Sequence, residues 1–329
     1  MIPEKRAAHR YEPRTMDKDI SDIYAEKISN LWRGMEQKYG PLKDVVEVDP
    51  QPATTFDDIG GLEAAKRELE AFSLALTRPE LHHKWGTQPS QGVILYGPHG
   101  GGKSLLVKAL ANRAQALELR LVLPNLIIQT MKIPQKWEEF LKDLYALMGE
   151  FNRTIVHLDD IDLLGSDYEH LFQAMKGAMV QLTPFLLEIV DRFFAKDRTI
   201  VVSSTTRLDL IKPQFIKPGR FERIIEVPLP DQAARRDIFK LHLRAADERA
   251  GRPLVGEVDF NAAAQASHEL SGADIAEVVR RCLEEKVILE GTDQPAPPIS
   301  TDDLQRGIAS FQAIKDLAGT IRTNPSLYL

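Results

Sequence analysis

The segment Gly97-Pro98-His99-Gly100-Gly101-Gly102-Lys103-Ser104 has the spacing G-x-x-x-x-G-K-S. Glycines let successive backbone N–H groups turn inward, and such a nest suits the oxygens of a phosphate chain. The helix expected after it, opening at Leu105, would present its positive N-terminal end to the same anion. Lys103 has the length to reach the β- and γ-phosphates of a triphosphate, and the Ser104 hydroxyl can serve Mg²⁺. A second pair of chemical groups, Asp159-Asp160, follows the apolar run Thr154-Ile155-Val156-His157-Leu158. A carboxylate at that place can hold a Mg²⁺ shell, and a second beside it can orient and deprotonate water. The chemistry read from these residues is ATP binding with Mg²⁺, followed by attack of water on phosphorus.

The elements that must position these groups are legible as alternating patterns. Strands are predicted at Val93–Tyr96, Leu119–Leu123, Thr154–Leu158, Thr199–Ser203 and Ile224–Val227, separated by stretches long enough for crossover helices. That alternation predicts an α/β fold, a parallel sheet with helices on both faces and ligands at the carboxyl ends of the strands. From Asp231, a predicted N-cap, the pattern is helical only, with helices expected over Ala233–Ala246, Asp274–Glu290 and Thr301–Leu317. Three regions result: a leader over 1–53, a nucleotide-binding α/β domain over 54–230, and a small helical lid over 231–329 with a mobile tail. The leader carries one amphipathic pattern from Ile20 to Met35, stopped by Gly40-Pro41, and a linker at Asp49–Pro52. Its helix is read equally as packing on its own domain or as binding a partner.

Composition narrows the rest. The 329 residues include 43% hydrophobic ones and carry a net charge of −6. An acidic chain is not expected to bind nucleic acid. The single cysteine, Cys282, permits no internal disulfide and is read as a small buried hydrophobe. No apolar run is long enough for a membrane span, and Met1–Arg6 lacks the apolar core of a signal segment. The expectation is a cytoplasmic protein without membrane contact.

Taken together, these motifs resemble the AAA family of ATPases, in the branch of valosin-like and proteasomal ATPases. Phe56-Asp57-Asp58-Ile59-Gly60-Gly61-Leu62 resembles the lead-in that lays backbone, here Asp58, Ile59 and Gly60, against adenine. Lys217-Pro218-Gly219-Arg220-Phe221-Glu222-Arg223 resembles the segment from which one subunit inserts arginine into its neighbour's site. Ser271-Gly272-Ala273-Asp274-Ile275 resembles the lid helix whose Gly272 and Ala273 touch nucleotide, and Ile238 and His242 match positions beside adenine and ribose. The resemblance spans about 54–311. It implies ring assembly, usually hexameric, with ATP between subunits and a protein substrate or adaptor to remodel.

Departures from that pattern predict slow hydrolysis. Asp160 stands where glutamate is usual and is shorter by roughly 1.5 Å of reach. Thr206 stands in place of asparagine, keeping one hydroxyl donor. Lys217 replaces the first trans-acting arginine with a point charge, whereas Arg220 keeps the second position. The pore segment Gln129–Pro134 has neither the aromatic nor the glycine of threading relatives and is read as a non-threading loop. Phe185, Leu186, Ile189 and Phe193 are expected to form a core helix face. The terminal Leu327-Tyr328-Leu329 resembles the tail by which proteasome-activating ATPases dock a proteasome-like core particle. An ATP-gated structural ring with residual turnover is the alternative to an active remodelling enzyme.

Overall fold

The computed structural model describes residues 18–40, 45–123, 125, 137–150, 152–164 and 187–323. Its six-stranded sheet comprises β1 (Val46–Asp49), β2 (Gly92–Tyr96), β3 (Leu117–Val122), β4 (Thr154–Asp159), β5 (Thr199–Thr205) and β6 (Arg223–Glu226), in the spatial order β1-β3-β4-β5-β2-β6. β1 runs antiparallel to β3, and every other neighbouring pair is parallel. The inner strands are rich in Val, Ile and Thr, as expected where both sheet faces are covered. Side chains alternate between those faces. Val93, Leu95, Ile155, Ile200 and Val202 pack against α2 (Glu63–Thr77) and α4 (Lys103–Ala114), while the short α3 (Pro79–Lys84) follows α2. Ile94, Val156, Leu158 and Val201 pack on the opposite side, toward α1 (Lys18–Tyr39), α5 (Trp137–Gly149) and helical residues 187–194.

The leader helix lies on its own domain. Ile28, Met35 and Tyr39 of α1 are buried in the core shared with Phe140 and Leu144 of α5. Each such side chain contributes about 1.5–3 kcal/mol on burial. Lys38 also pairs with Asp143 at 2.9 Å, an exposed contact that water screens. Apolar burial therefore holds the helix. The stretch read as leader and linker also supplies β1, whose Val46–Asp49 pairs with Glu118–Leu121. The sheet thus begins before residue 54, because a four-residue strand with alternating charge leaves little trace in composition. β3 begins two residues earlier than expected, where Leu117 and Glu118 pair with Thr154 and Ile155.

The C-terminal helices α6 (Gln232–Ala250), α7 (Phe260–Ala266), α8 (Gly272–Gly291) and α9 (Thr301–Thr323) form their own core around Phe239, Leu243, Ile275, Val278 and Leu304. Asp231 caps α6 by accepting from Ala234 N at 2.7 Å. Cys282 is buried in this core with a free thiol. Ile189 and Phe193 are buried in the sheet core, while Phe185 and Leu186 lie outside the described residues. So do the pore segment Gln129–Pro134 and the tail Leu327–Leu329.

Candidate active site

The glycine loop sits between β2 and α4, with the lid against one flank. At Gly97 an added Cβ would lie 2.0 Å from the Val227 carbonyl oxygen. At Gly100, where φ is +71°, an added Cβ would lie 2.6 Å from Ser271 Oγ. Both positions therefore require glycine, one for β6 and one for the lid. The Ala273 N–H donates to the Gly100 carbonyl at 3.2 Å, joining loop and lid through backbone. Lys103 Nζ donates to the carbonyls of Gly97, at 2.7 Å, and Pro98, at 2.9 Å. Burial pushes the Lys103 pKa down, and the nearby Asp159, Asp160 and Asp162 oppose that shift. An ammonium in this setting gains from an arriving polyanion.

A cavity of about 390 Å³ opens above the loop. His99, Gly100, Gly101, Gly102, Lys103, Ser104 and Leu105 line one side of it. Asp58, Ile59 and Gly60 enter from the lead-in, and Ile238, His242, Gly272 and Ala273 from the lid. Gly97 and Pro98 are not in the wall; their carbonyls hold Lys103. Gly60 is pressed against α6, since an added Cβ would lie 2.6 Å from Ile238 Cγ1. His242 is held toward its neutral form by burial and by Arg249. A neutral, half-buried imidazole and an aliphatic side chain suit a nucleoside better than a phosphate.

Asp159 and Asp160 line the same cavity but are tuned oppositely. Burial works against ionisation of Asp159, but the His157 ring, the Ser204 hydroxyl and Arg120 together outweigh it and hold the carboxyl below its usual range. Arg120 donates through Nε at 3.0 Å and through Nη2 to Asp159 Oδ2, and Ser204 donates to Oδ1. Asp160 is pushed up by burial, then by Asp159 and Asp162. Its backbone is left-handed, with φ of +57°, a strained conformation for a non-glycine residue. A carboxylate held ionised beside one that gains a proton more readily is an arrangement suited to handling water.

The remaining expected residues lie away from the cavity wall. Thr206 Oγ1 stands 3.5 Å from Asp162 Oδ2. Lys217 is exposed on the segment before β6. Arg220 is only 8% exposed: its guanidinium grips Asp191 through two contacts of 2.6 Å and donates to the Gln214 carbonyl. Sequence reasoning missed Leu62, Pro228, Pro230, Leu241 and Ala276, which complete the wall. Pro228 and Pro230 follow β6 at its carboxyl end, where the topology places ligands. Leu241 and Ala276 each stand three residues from a predicted contact, on the same helix face. Arg120 gave no local signal, since its link to Asp159 depends on strand register.

Residues 93–229 match the family described as "ATPase family associated with various cellular activities (AAA)". The chain carries an AAA ATPase domain. It is 35% identical over 275 residues to the proteasome-activating nucleotidase of Methanopyrus kandleri, covering 82% of this chain and 59% of that protein. It is 35% identical over 243 residues to the protein of the same name from Aeropyrum pernix, covering 74% and 57%. A 26S proteasome regulatory subunit 4 homolog of Dictyostelium discoideum is 36% identical over 239 residues, covering 71% and 52%. The chain thus spans little more than half the length of these relatives. The mixed α/β sheet domain with an appended helical part accords with this family. Among the described residues no helix is long and apolar enough to cross a membrane.

Proposed function

We propose that this chain is a Mg²⁺-dependent ATPase that assembles into a ring, usually six-membered in its family, and uses ATP to remodel protein partners. The observation that carries this reading is the composite cavity: phosphate loop, strand-end carboxylates and lid residues meet around one space of nucleotide size. Ser104 and Asp159 offer hydroxyl and carboxylate oxygens on that space, hard donors that fit Mg²⁺. Bound there, Mg²⁺ supplies charge neutralisation at the β- and γ-phosphates. Lys103 leaves its loop carbonyls for the transferring phosphoryl group, Asp160 orients water, and Asp58, Ile59 and Gly60 meet the adenine. Lys217 and Arg220 serve the adjacent subunit's site, Arg220 after release from Asp191. The names of the relatives support a proteasome-associated role, with Leu327–Leu329 docking a proteasome-like core particle. A cytoplasmic location fits that role, with neither nucleic acid nor membrane as partner.

ATP turnover by the parent, compared with Lys103→Ala, tests the reading: the substitution abolishes turnover, and equal rates would defeat the assignment. Electron microscopy with Mg²⁺ and ATP shows the ring. Deleting Leu327–Leu329 removes binding to the core particle, and unchanged binding ends the docking idea. A second reading, a nucleotide-gated ring with residual hydrolysis, is favoured by one observation. The side chains expected to assist hydrolysis are engaged internally, Arg220 with Asp191 and Thr206 near Asp162. The domain limits 1–53, 54–230 and 231–329 remain part of this proposal, with β1 and α1 attached to the sheet domain.

A further inference from the structure

The sheet face toward α4 carries polar side chains where strand interiors are otherwise apolar. Ile155, Ile200 and Val202 fill the lower part of this face. Toward the carboxyl ends the same alternation places Glu118 and Arg120 on β3, His157 and Asp159 on β4, and Ser204 on β5. Glu118, His157 and Ser204 are at most 2% exposed.

Their contacts form a directed chain. Ser204 donates its one proton to Asp159 Oδ1. Its oxygen is then left to accept from His157 Nε2, which lies 3.2 Å away. On the other side of the ring, Nδ1 faces Glu118 Oε1 at 3.6 Å. Neither Glu118 oxygen nor His157 Nδ1 has a hydrogen-bond partner among the described residues. Three apolar side chains would pack this layer with less desolvation. A polar row retained at such a cost, and ending on one oxygen of one carboxylate, is suited to fixing that carboxylate's orientation.

We propose that Ser204 and His157 are positioning residues for Asp159, holding its carboxylate in the orientation that serves Mg²⁺ while Arg120 clamps the other oxygen. The proposal rests on the assignment of Mg²⁺ to Ser104 and Asp159.

The test measures how much Mg²⁺ strengthens binding of ATPγS, as the ratio of its affinity in excess Mg²⁺ to that in EDTA. Ser204→Ala reduces this gain by about tenfold and changes metal-free affinity by less than about twofold. Ser204→Thr, which keeps the hydroxyl, retains the full gain. His157→Phe loses a comparable part, and carries the same reading should Ser204→Ala fail to fold. Adding His157→Phe to Ser204→Ala causes less than the sum of the two losses, because His157 acts partly through the Ser204 bond and partly from its own position 3.7 Å from Asp159 Oδ1. Asp159→Asn separates this proposal from the site assignment beneath it. If Asp159→Asn abolishes the gain while Ser204→Ala and His157→Phe preserve it, the positioning role is overturned and the metal site stands. If Asp159→Asn preserves the gain, the metal assignment falls and this proposal falls with it. Equal losses of affinity with and without Mg²⁺ in Ser204→Ala also overturn it, since a merely structural defect behaves that way.

Discussion

Two carboxylates in this molecule are solved with the same groups to different ends. Asp303, in the first turn of α9, accepts from the Ser300 hydroxyl and N–H, both at 2.9 Å, and from Lys286 and Arg306. Against the effect of burial, Lys286 and Ser300 bring its pKa down from 3.8 to about 2. Asp159 is likewise held by a serine hydroxyl and a cation, but its partners come from β5 and β3 and it faces a cavity. The contacts of Asp303 hold the start of α9 and tie it to Lys286 of α8, whereas one side of Asp159 faces the cavity. Strong ion pairing does not separate a structural carboxylate from one proposed to serve chemistry. The open side does.

That comparison breaks first at Asp159. Asp159→Asn should lower Mg²⁺-dependent ATP turnover by about a hundredfold while a thermal melt moves little, because the loss falls on chemistry. Asp303→Asn should do the reverse. It removes charge-assisted bonds from a buried cap and should cost about 2 kcal/mol in denaturant unfolding, with turnover per folded molecule little changed. Acid sharpens the contrast. The folded pKa of Asp303 lies below the ordinary 3.8, so its stabilising contribution is complete above that value and is lost as pH falls toward about 2. A pH series of unfolding midpoints should therefore show a shallower acid limb in Asp303→Asn than in the parent.

Two smaller effects concern Asp160 and Thr206. Asp160→Glu restores the missing reach and should raise turnover by about tenfold in steady-state assays; an unchanged rate would show that base spacing is not what limits the enzyme. Thr206→Asn supplies an amide that donates and accepts through separate groups. It should raise turnover by about threefold, roughly the worth of one modest hydrogen bond.

What could be read in advance follows from distance along the chain. The phosphate loop, the Asp159-Asp160 pair and the Ser271–Ile275 segment are local patterns, and the structure brings His99–Leu105, both aspartates, Gly272 and Ala273 to one cavity. The strand sequence from β2 to β6 was visible because buried parallel strands are nearly uninterrupted apolar runs. The partners of those residues were not visible. Arg120 reaches Asp159 only because β3 and β4 pair in one register, and Ser204 because β5 lies on the other side of β4. Asp191 meets Arg220 across 29 positions. β1 escaped because Val46-Glu47-Val48-Asp49 is too short to rise above its polar surroundings.

The backbone bond from Ala273 to Gly100 carries a final consequence. Both atoms belong to the main chain, so replacing the Ala273 side chain leaves donor and acceptor in place, whereas Gly100 must stay glycine because an added Cβ would meet Ser271 and Ala273. Proline at 273 is the exception. It removes the donor at a first-turn position that helices accept, so one substitution could uncouple the two bodies while leaving both folded. Other lining side chains of the cleft can change while this backbone tether between loop and lid stays in place.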